Sequence, residues 1–382
     1  MEQLDQHRER IQDDLRGLIS GEVRCDEIFR QLYASDGSIY EIRPLGVVRP
    51  RSAADVQSTV EYAAEKNIPI HARGAGTGVA GQSLGAGLVI DFACHMHRVI
   101  RVGEATVRVQ PGVVKERLNV QLAAASRVFG PDPANSRATT IGSVLAIDGA
   151  GIHWLKYGSA ARHVLEMSVV LAGGHRIKAA REPLFDGQSK DPDPIKRDLV
   201  DRLAAVLEEN RDLIRSARVN SPVDCVGYHL DGALSRDESG KTHLDLVRLL
   251  VGSEGTLALT TEATLATQPL PAFRGMALLL FDSLETAARA VGDLLPHKPA
   301  SCDLLDRRFL SLAREIEPRF NELIPQQTET VLIVEQHADS QAGIRERMKE
   351  LVDATAKEKP TLGKTGSASG PFGARLAFDP LD

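Results

Sequence analysis

The chain has 382 residues, a formal net charge of −6, 42% hydrophobic and 26% charged residues. That length allows two or three domains with sizeable cores. The interspersed acids and bases give no support for nucleic-acid binding, and no apolar run reaches the roughly 18 residues of a transmembrane segment.

Cys25, Cys94, Cys225 and Cys302 lie far apart and form no C-x-x-C pair, so they read as scattered thiols and no metal site is expected. The opening MEQLDQHRERIQDDLRGLIS is a charged helical pattern without the apolar core of a secretory signal. A cytoplasmic protein is expected, reaching a membrane only through partners.

In chain order, residues 1–34 read as helical within an N-terminal segment 1–39, and 36–44 as extended. Ser52 is the expected N-cap of a helix over 53–66, with Val56, Val60, Ala63 and Ala64 on one face. Short strands are expected at 68–72 and 88–92. Alternation at 106–110 turns Val107 and Val109 to one side, and a helix follows over 113–125. Residues 164–171 and 175–178 read as a hairpin around Gly173–Gly174. The longest helix is expected over 195–218. A boundary falls at 268–271, after which strand 275–281, helices 283–295 and 306–316, and strand 330–335 follow. Residues 354–373, poor in bulky apolar side chains, read as flexible. Short connections between strands favour an α+β fold over a purely parallel sheet.

The most informative stretch is PIHARGAGTGVAGQSLGAGL (69–88), with six glycines from Gly74 to Gly87 and Arg73 at their head. So many glycines exclude a helix, at roughly 1 kcal/mol each relative to Ala. They suit a loop whose backbone N–H groups approach an anion, with Arg73 adding a permanent positive charge. Gly76-Thr-Gly78-Val-Ala-Gly81 matches G-x-G-x-x-G literally, but a Rossmann site needs a helix next and an acid about 20 residues on. Here a strand follows and Asp91 comes ten residues after Gly81, so the context fails. Gly363-Lys364-Thr365 is no Walker loop, because Glu358 stands where its leading glycine belongs.

Four segments taken in order resemble the flavin domain of the vanillyl-alcohol-oxidase (PCMH-type) superfamily, nearest its D-lactate dehydrogenase and glycolate oxidase FAD-subunit group. They are Pro69–Gly81, Gly130–Gly142, Gly151-Ile-His153-Trp-Leu-Lys156-Tyr157-Gly158 with 169–174, and 227–230 with 250–263. The resemblance implies an α+β architecture: a two-subdomain PCMH-type FAD-binding domain over 40–269, then a partial α+β cap over 270–382. It also implies FAD as cofactor, with the pyrophosphate wrapped by Arg73, Gly74, Ala75, Gly76, Thr77 and Gly78 and flanked by Gly81 and Gln82. Pro131, Asp132, Thr139, Thr140, Gly142, Ser143, Gly151, Gly255 and Leu257 complete the expected flavin contacts. Thr77 stands where many relatives carry a flavin-tethering histidine, so dissociable FAD is expected, and His71 reads as a packed strand residue. Ser143, Asp148 and Ala258 depart from the usual pattern. Asp148 is the most serious, since a carboxylate beside a pyrophosphate costs Coulomb energy unless it points away or pairs with Arg137 or Arg162.

The implied chemistry is hydride transfer from the α-carbon of a 2-hydroxy acid to FAD, with His153, Lys156 and Tyr157 as candidate catalytic residues. The group's H-x-G-D-G-N-type stretch, which carries its catalytic and metal-binding histidines, is missing from the sequence, as are iron–sulfur modules. A fragment or split subunit is expected, one that turns over hydroxy acids poorly alone. The competing reading is a non-catalytic FAD-binding subunit needing a partner chain; an electron-acceptor or iron–sulfur partner fits either. A cell-wall precursor reductase shares the FAD domain, but 281–315 argues against its substrate domain.

Overall fold

A computed structural model describes residues 2–185, 187–219, 221, 227–355 and 370–378. Cys225, the Gly363–Thr365 motif and most of the segment read as flexible lie outside them. The chain divides into two compact units: Met1–Ala150 with Ser159–Gln268, and Gly151–Gly158 with Pro269–Asp382.

The first unit holds a four-stranded sheet in the order Glu22–Arg24, Gly46–Arg49, Leu88–Asp91, Ile70–Arg73. Its last three strands run parallel, and only Glu22–Arg24 is antiparallel to its neighbour. Residues 1–34 are therefore not continuously helical. Helix Glu2–Leu18 gives way to that edge strand, because Ser20-Gly21 is a poor helix continuation and a Cβ on Gly21 would lie 2.4 Å from the Arg49 carbonyl oxygen. Ser52 caps helix Ala53–Glu65 as expected, accepting from the Asp55 amide. The all-apolar part of Leu88–Asp91 is buried throughout, as a strand covered on both faces requires.

The unit's second sheet is antiparallel, ordered Val99–Val102, Thr106–Val109, Ala258–Ala266, Val164–Leu171, Arg176–Ala179. Val107 and Val109 face the core, and the hairpin of Val164–Leu171 with Arg176–Ala179 forms as the glycine pair implies. The long amphipathic helix is interrupted: Pro194–Glu209 and Arg211–Ser216 are separate, with Asn210 leaving helical geometry between them. A large apolar core joins this sheet to helices Lys115–Ala123, Ile141–Ala146 and Pro194–Glu209.

The second unit is an antiparallel sheet in the order Ser301–Asp306, Thr330–Ala338, Phe273–Phe281, Gly373–Ala377. Alternation sorts its side chains. Ala277, Leu279, Phe281, Leu332 and Val334 pack under helices Leu284–Leu294 and Gln341–Thr355. Leu278, Leu280, Val331 and Ile333 lie on the other face with Leu310 of helix Arg307–Ile316.

Candidate functional site

Three of the four motif segments converge in the first unit. Strand Ile70–Arg73 ends at Gly74, whose missing Cβ makes the approach possible: one built there would lie 2.3 Å from Thr140 Oγ1 and 2.4 Å from Ser143 Oγ. Thr140 caps the six-residue helix Ile141–Ala146, and a Cβ on Gly142 would meet Pro111 at 2.7 Å. The turn Gly252–Gly255 docks on the same helix, with Gly252 N donating to Leu145 O and Glu254 N to Ala146 O, both at 2.9 Å. Gly255 holds φ +79 facing Ala72. A cleft results, lined by Arg73, Gly74, Thr140, Gly142, Ser143 and Gly255, six of the expected flavin-binding residues.

Arg73 is held by three contacts within this unit. Its Nη2 donates to Ser35 O at 2.8 Å, its guanidinium lies 5.2 Å from the Tyr33 ring centre, and Gly76 backs it at φ +68. Nη1 is buried without a hydrogen-bond partner among the described residues. A buried charged donor left unpaired is costly, so this atom fits a site built for an incoming anion.

Elsewhere in the loop, Thr77 Oγ1 lies 3.4 Å from Thr139 Oγ1, Gly81 holds φ +80, and Gly78 leaves room for Gln82 Oε1. Ala75, Pro131, Asp132 and Leu257 do not line the cleft; Asp132 N bonds Ala150 O at 2.9 Å and Leu257 is exposed. Pro111, Met167 and Ser253 do line it and were not singled out in the sequence, because nothing local marks them.

Asp148 is fully buried and pairs with neither arginine. Its Oδ1 accepts from Ala161 N at 2.7 Å, and Oδ2 stands 3.0 Å from His229 Nε2, at ion-pair distance but off the hydrogen-bond angle. Arg137 instead meets Glu116. Gly252, at φ +81, is the close neighbour of both Asp148 and His229. His71 packs edge-on against Gly85, where a Cβ would fall 2.0 Å from its Nε2, and burial lowers its pKa. Of the thiols among the described residues, Cys25 is buried and Cys94 and Cys302 are half-buried.

Of the third motif segment, Gly151–Gly158 belongs to the second unit, while 169–174 lies in the first. Gly151 at φ +88 and Gly158 at φ +71 bracket the short helix Trp154–Tyr157. Here His153 Nε2 lies 3.1 Å from Glu335 Oε2, while His337 Nε2 lies 2.7 Å from Glu335 Oε1. Lys156 Nζ lies 2.5 Å from His337 Nδ1 and 5.3 Å from the Tyr157 ring centre. Arg274, directly across the strands from His337, and Arg347, which donates to His337 O at 2.7 Å, add positive charge.

Burial would raise the Glu335 carboxyl, but hydrogen bonds from both imidazoles outweigh it and hold the group well below the usual range. Burial lowers Lys156, and Arg274 repels its charge further. Burial likewise lowers His337, with Lys156 opposing the pull of Glu335. Glu335 and His337 were not singled out in the sequence. The available signal is their i, i+2 spacing at the end of an apolar strand, which places both on the face of Val331 and Ile333.

Residues 44–180 match the family described as FAD binding domain, and residues 270–365 match the FAD linked oxidases, C-terminal domain. The chain belongs to the FAD-linked oxidase superfamily. Among similar proteins, D-2-hydroxyglutarate dehydrogenase of Escherichia coli is 32% identical over 345 residues, covering 87% of this chain and 34% of that protein. The protein of the same name from Pseudomonas putida is 34% identical over 301 residues, covering 77% and 29%. Glycolate oxidase subunit GlcD of Bacillus subtilis is 28% identical over 336 residues, covering 86% and 59%. The chain thus spans about a third of the length of the hydroxyglutarate dehydrogenases it matches. A solved structure of alkyldihydroxyacetonephosphate synthase superposes with TM-score 0.61 at 16% identity, over 88% of this chain and 57% of that one, and shares the fold.

FAD is the cofactor of this member of the superfamily. The cleft fits it: glycines too closely packed for a Cβ stand beside a guanidinium nitrogen that has no acceptor among the described residues. Arg73 and the Gly74, Thr140 and Ser143 surfaces would hold the diphosphate there.

Proposed function

We propose that this FAD-linked oxidase is a D-2-hydroxy-acid dehydrogenase, or the flavin-binding part of one. The observation that carries the reading is the 32–34% identity to proteins named D-2-hydroxyglutarate dehydrogenase, spread across 77–87% of the chain. Bound FAD supplies the hydride acceptor for a CH–OH carbon. The protein's own task is to hold an anionic substrate and manage the hydroxyl proton.

For the carboxylate we assign Lys156, supported by the cationic company of Arg274 and Arg347. His153 is assigned to the proton, with Glu335 orienting its ring through Nε2. Tyr157 borders Lys156 and completes the assigned group. The flavin-binding domain is assigned to 40–269 and the cap to 270–382, with a separate electron-acceptor subunit and a cytoplasmic location. FAD is held without a covalent bond, because Thr77 offers no nucleophile of the tethering kind.

The purified protein is then yellow, absorbing near ~450 nm, and acid or heat frees all its flavin. Anaerobic addition of D-2-hydroxyglutarate, D-lactate or glycolate bleaches that band for at least one of the three. A flavin that stays with the denatured chain sinks the non-covalent claim. A band unmoved by all three acids sinks the reading of this chain as a dehydrogenase in its own right and leaves only that of a flavin-binding part.

A further inference from the structure

We propose that His153, Glu335 and His337 form a divalent transition-metal site, of the kind that takes Zn²⁺ or Co²⁺. Their three donor atoms lie within 4.8 Å of one another, the one such His/Cys/Asp/Glu group among the described residues. Both imidazoles turn Nε2 toward the same carboxylate, one to each oxygen. Two nitrogens and one carboxylate oxygen are a ligand set that Zn²⁺ and its neighbours accept, and three protein ligands leave coordination positions open.

The scaffold is stiff where a site needs it to be. Glu335 and His337 share one face of a nine-residue strand paired on both sides. His153 sits at the start of a helical turn bracketed by two glycines with positive φ. The three side chains are 15%, 13% and 7% exposed, so the carboxylate and both rings are largely withdrawn from water. A cleft of about 480 Å³, lined in part by Lys156, His337 and Arg347, lies alongside and gives the open positions access to solvent.

Without an ion, the trio is held as hydrogen bonds from two Nε2–H groups into one carboxylate. An ion replaces those two protons with coordinate bonds and draws the same three groups together. His337 then carries its proton on Nδ1, facing the Lys156 ammonium. Two donors cannot bond each other, so the long lysine side chain turns into the cleft. There it joins Arg347, and with a single carboxylate ligand the ion keeps net positive charge. The open positions therefore take an anionic or water-derived ligand.

All three ligands belong to the second unit, so the site does not rest on the proposed flavin reaction; with an ion bound, His153 serves as a ligand and takes no proton from the substrate. The test uses the full chain, stripped with a chelator, its flavin content recorded, then reloaded with Zn²⁺ alone. One tightly held Zn²⁺ per chain is expected, and X-ray absorption at the zinc edge shows two imidazoles and one carboxylate. Glu335→Gln and His337→Gln each weaken Zn²⁺ binding by at least about tenfold. Their far-ultraviolet circular dichroism and flavin content stay as in the parent. Parent-like Zn²⁺ affinity in folded variants, no stoichiometric uptake by the parent, or an edge spectrum without imidazole overturns the site. The spectrum of the parent decides the matter even if a variant misfolds.

Discussion

Arg73 has one nitrogen on a carbonyl and another buried without an acceptor among the described residues, a state that an incoming anion would relieve. A charge-assisted hydrogen bond is worth about 1.5–3 kcal/mol, so Arg73→Ala should weaken FAD binding by about tenfold or more. Quenching of FAD fluorescence on titration reads it directly; a change under threefold would remove Arg73 from the site. Asp148→Asn is the matching control. The carboxylate is turned onto Ala161 N, a bond that the Asn carbonyl can also accept. Its FAD affinity should stay within threefold of the parent. A large gain in affinity would mean that the buried charge does reach the diphosphate after all.

At the scale of elements, Asp55 joins two helices. It follows the Ser52 cap in the first turn of Ala53–Glu65 and accepts from the Arg51 and Ser20 amides, at 2.8 and 3.1 Å. Burial pushes its pKa up, but those amide bonds and the Ser20 and Ser52 hydroxyls win and hold it below the usual value. A carboxyl with a lowered folded pKa stabilises above its unfolded pKa, near ~3.9, and that stability drains away as pH falls through the folded one. Urea unfolding measured from pH 6 down to pH 2 should therefore show a shallower acid decline for Asp55→Asn than for the parent. Parallel declines would refute the assignment. The Ser52 cap was legible because a cap is a local event; the link to Ser20, 35 residues away, was not. The same contrast runs through the sites. Gly74, Gly142 and Gly255 announce themselves because only glycine tolerates the approach or the φ that each position demands. His153 and Glu335 stand 182 residues apart, and only the fold reveals that they meet.

For the molecule as a whole, the division into units does not follow chain order. The chain leaves the first unit after Ala150, contributes eight residues to the second, and returns at Ser159. Sequence reading placed one boundary near residue 269 and had no means of seeing this excursion, since Gly151–Gly158 lies inside a run of flavin-domain motifs. Bonds within the first unit pin both ends: Asp132 N to Ala150 O at 2.9 Å, and Ala160 N to Gly149 O at 3.1 Å. Those bonds do not involve residues 152–157. Replacing 152–157 with a glycine–serine link of equal length should therefore leave the FAD cleft built, with FAD affinity within about threefold of the parent. The same replacement removes His153 and with it a metal ligand, so Zn²⁺ affinity should fall by at least about tenfold. Equilibrium titrations of one protein with FAD and then with Zn²⁺ separate the two effects. Loss of FAD alone would put the flavin determinant inside the excursion, and retention of both ligands would show that the segment serves neither.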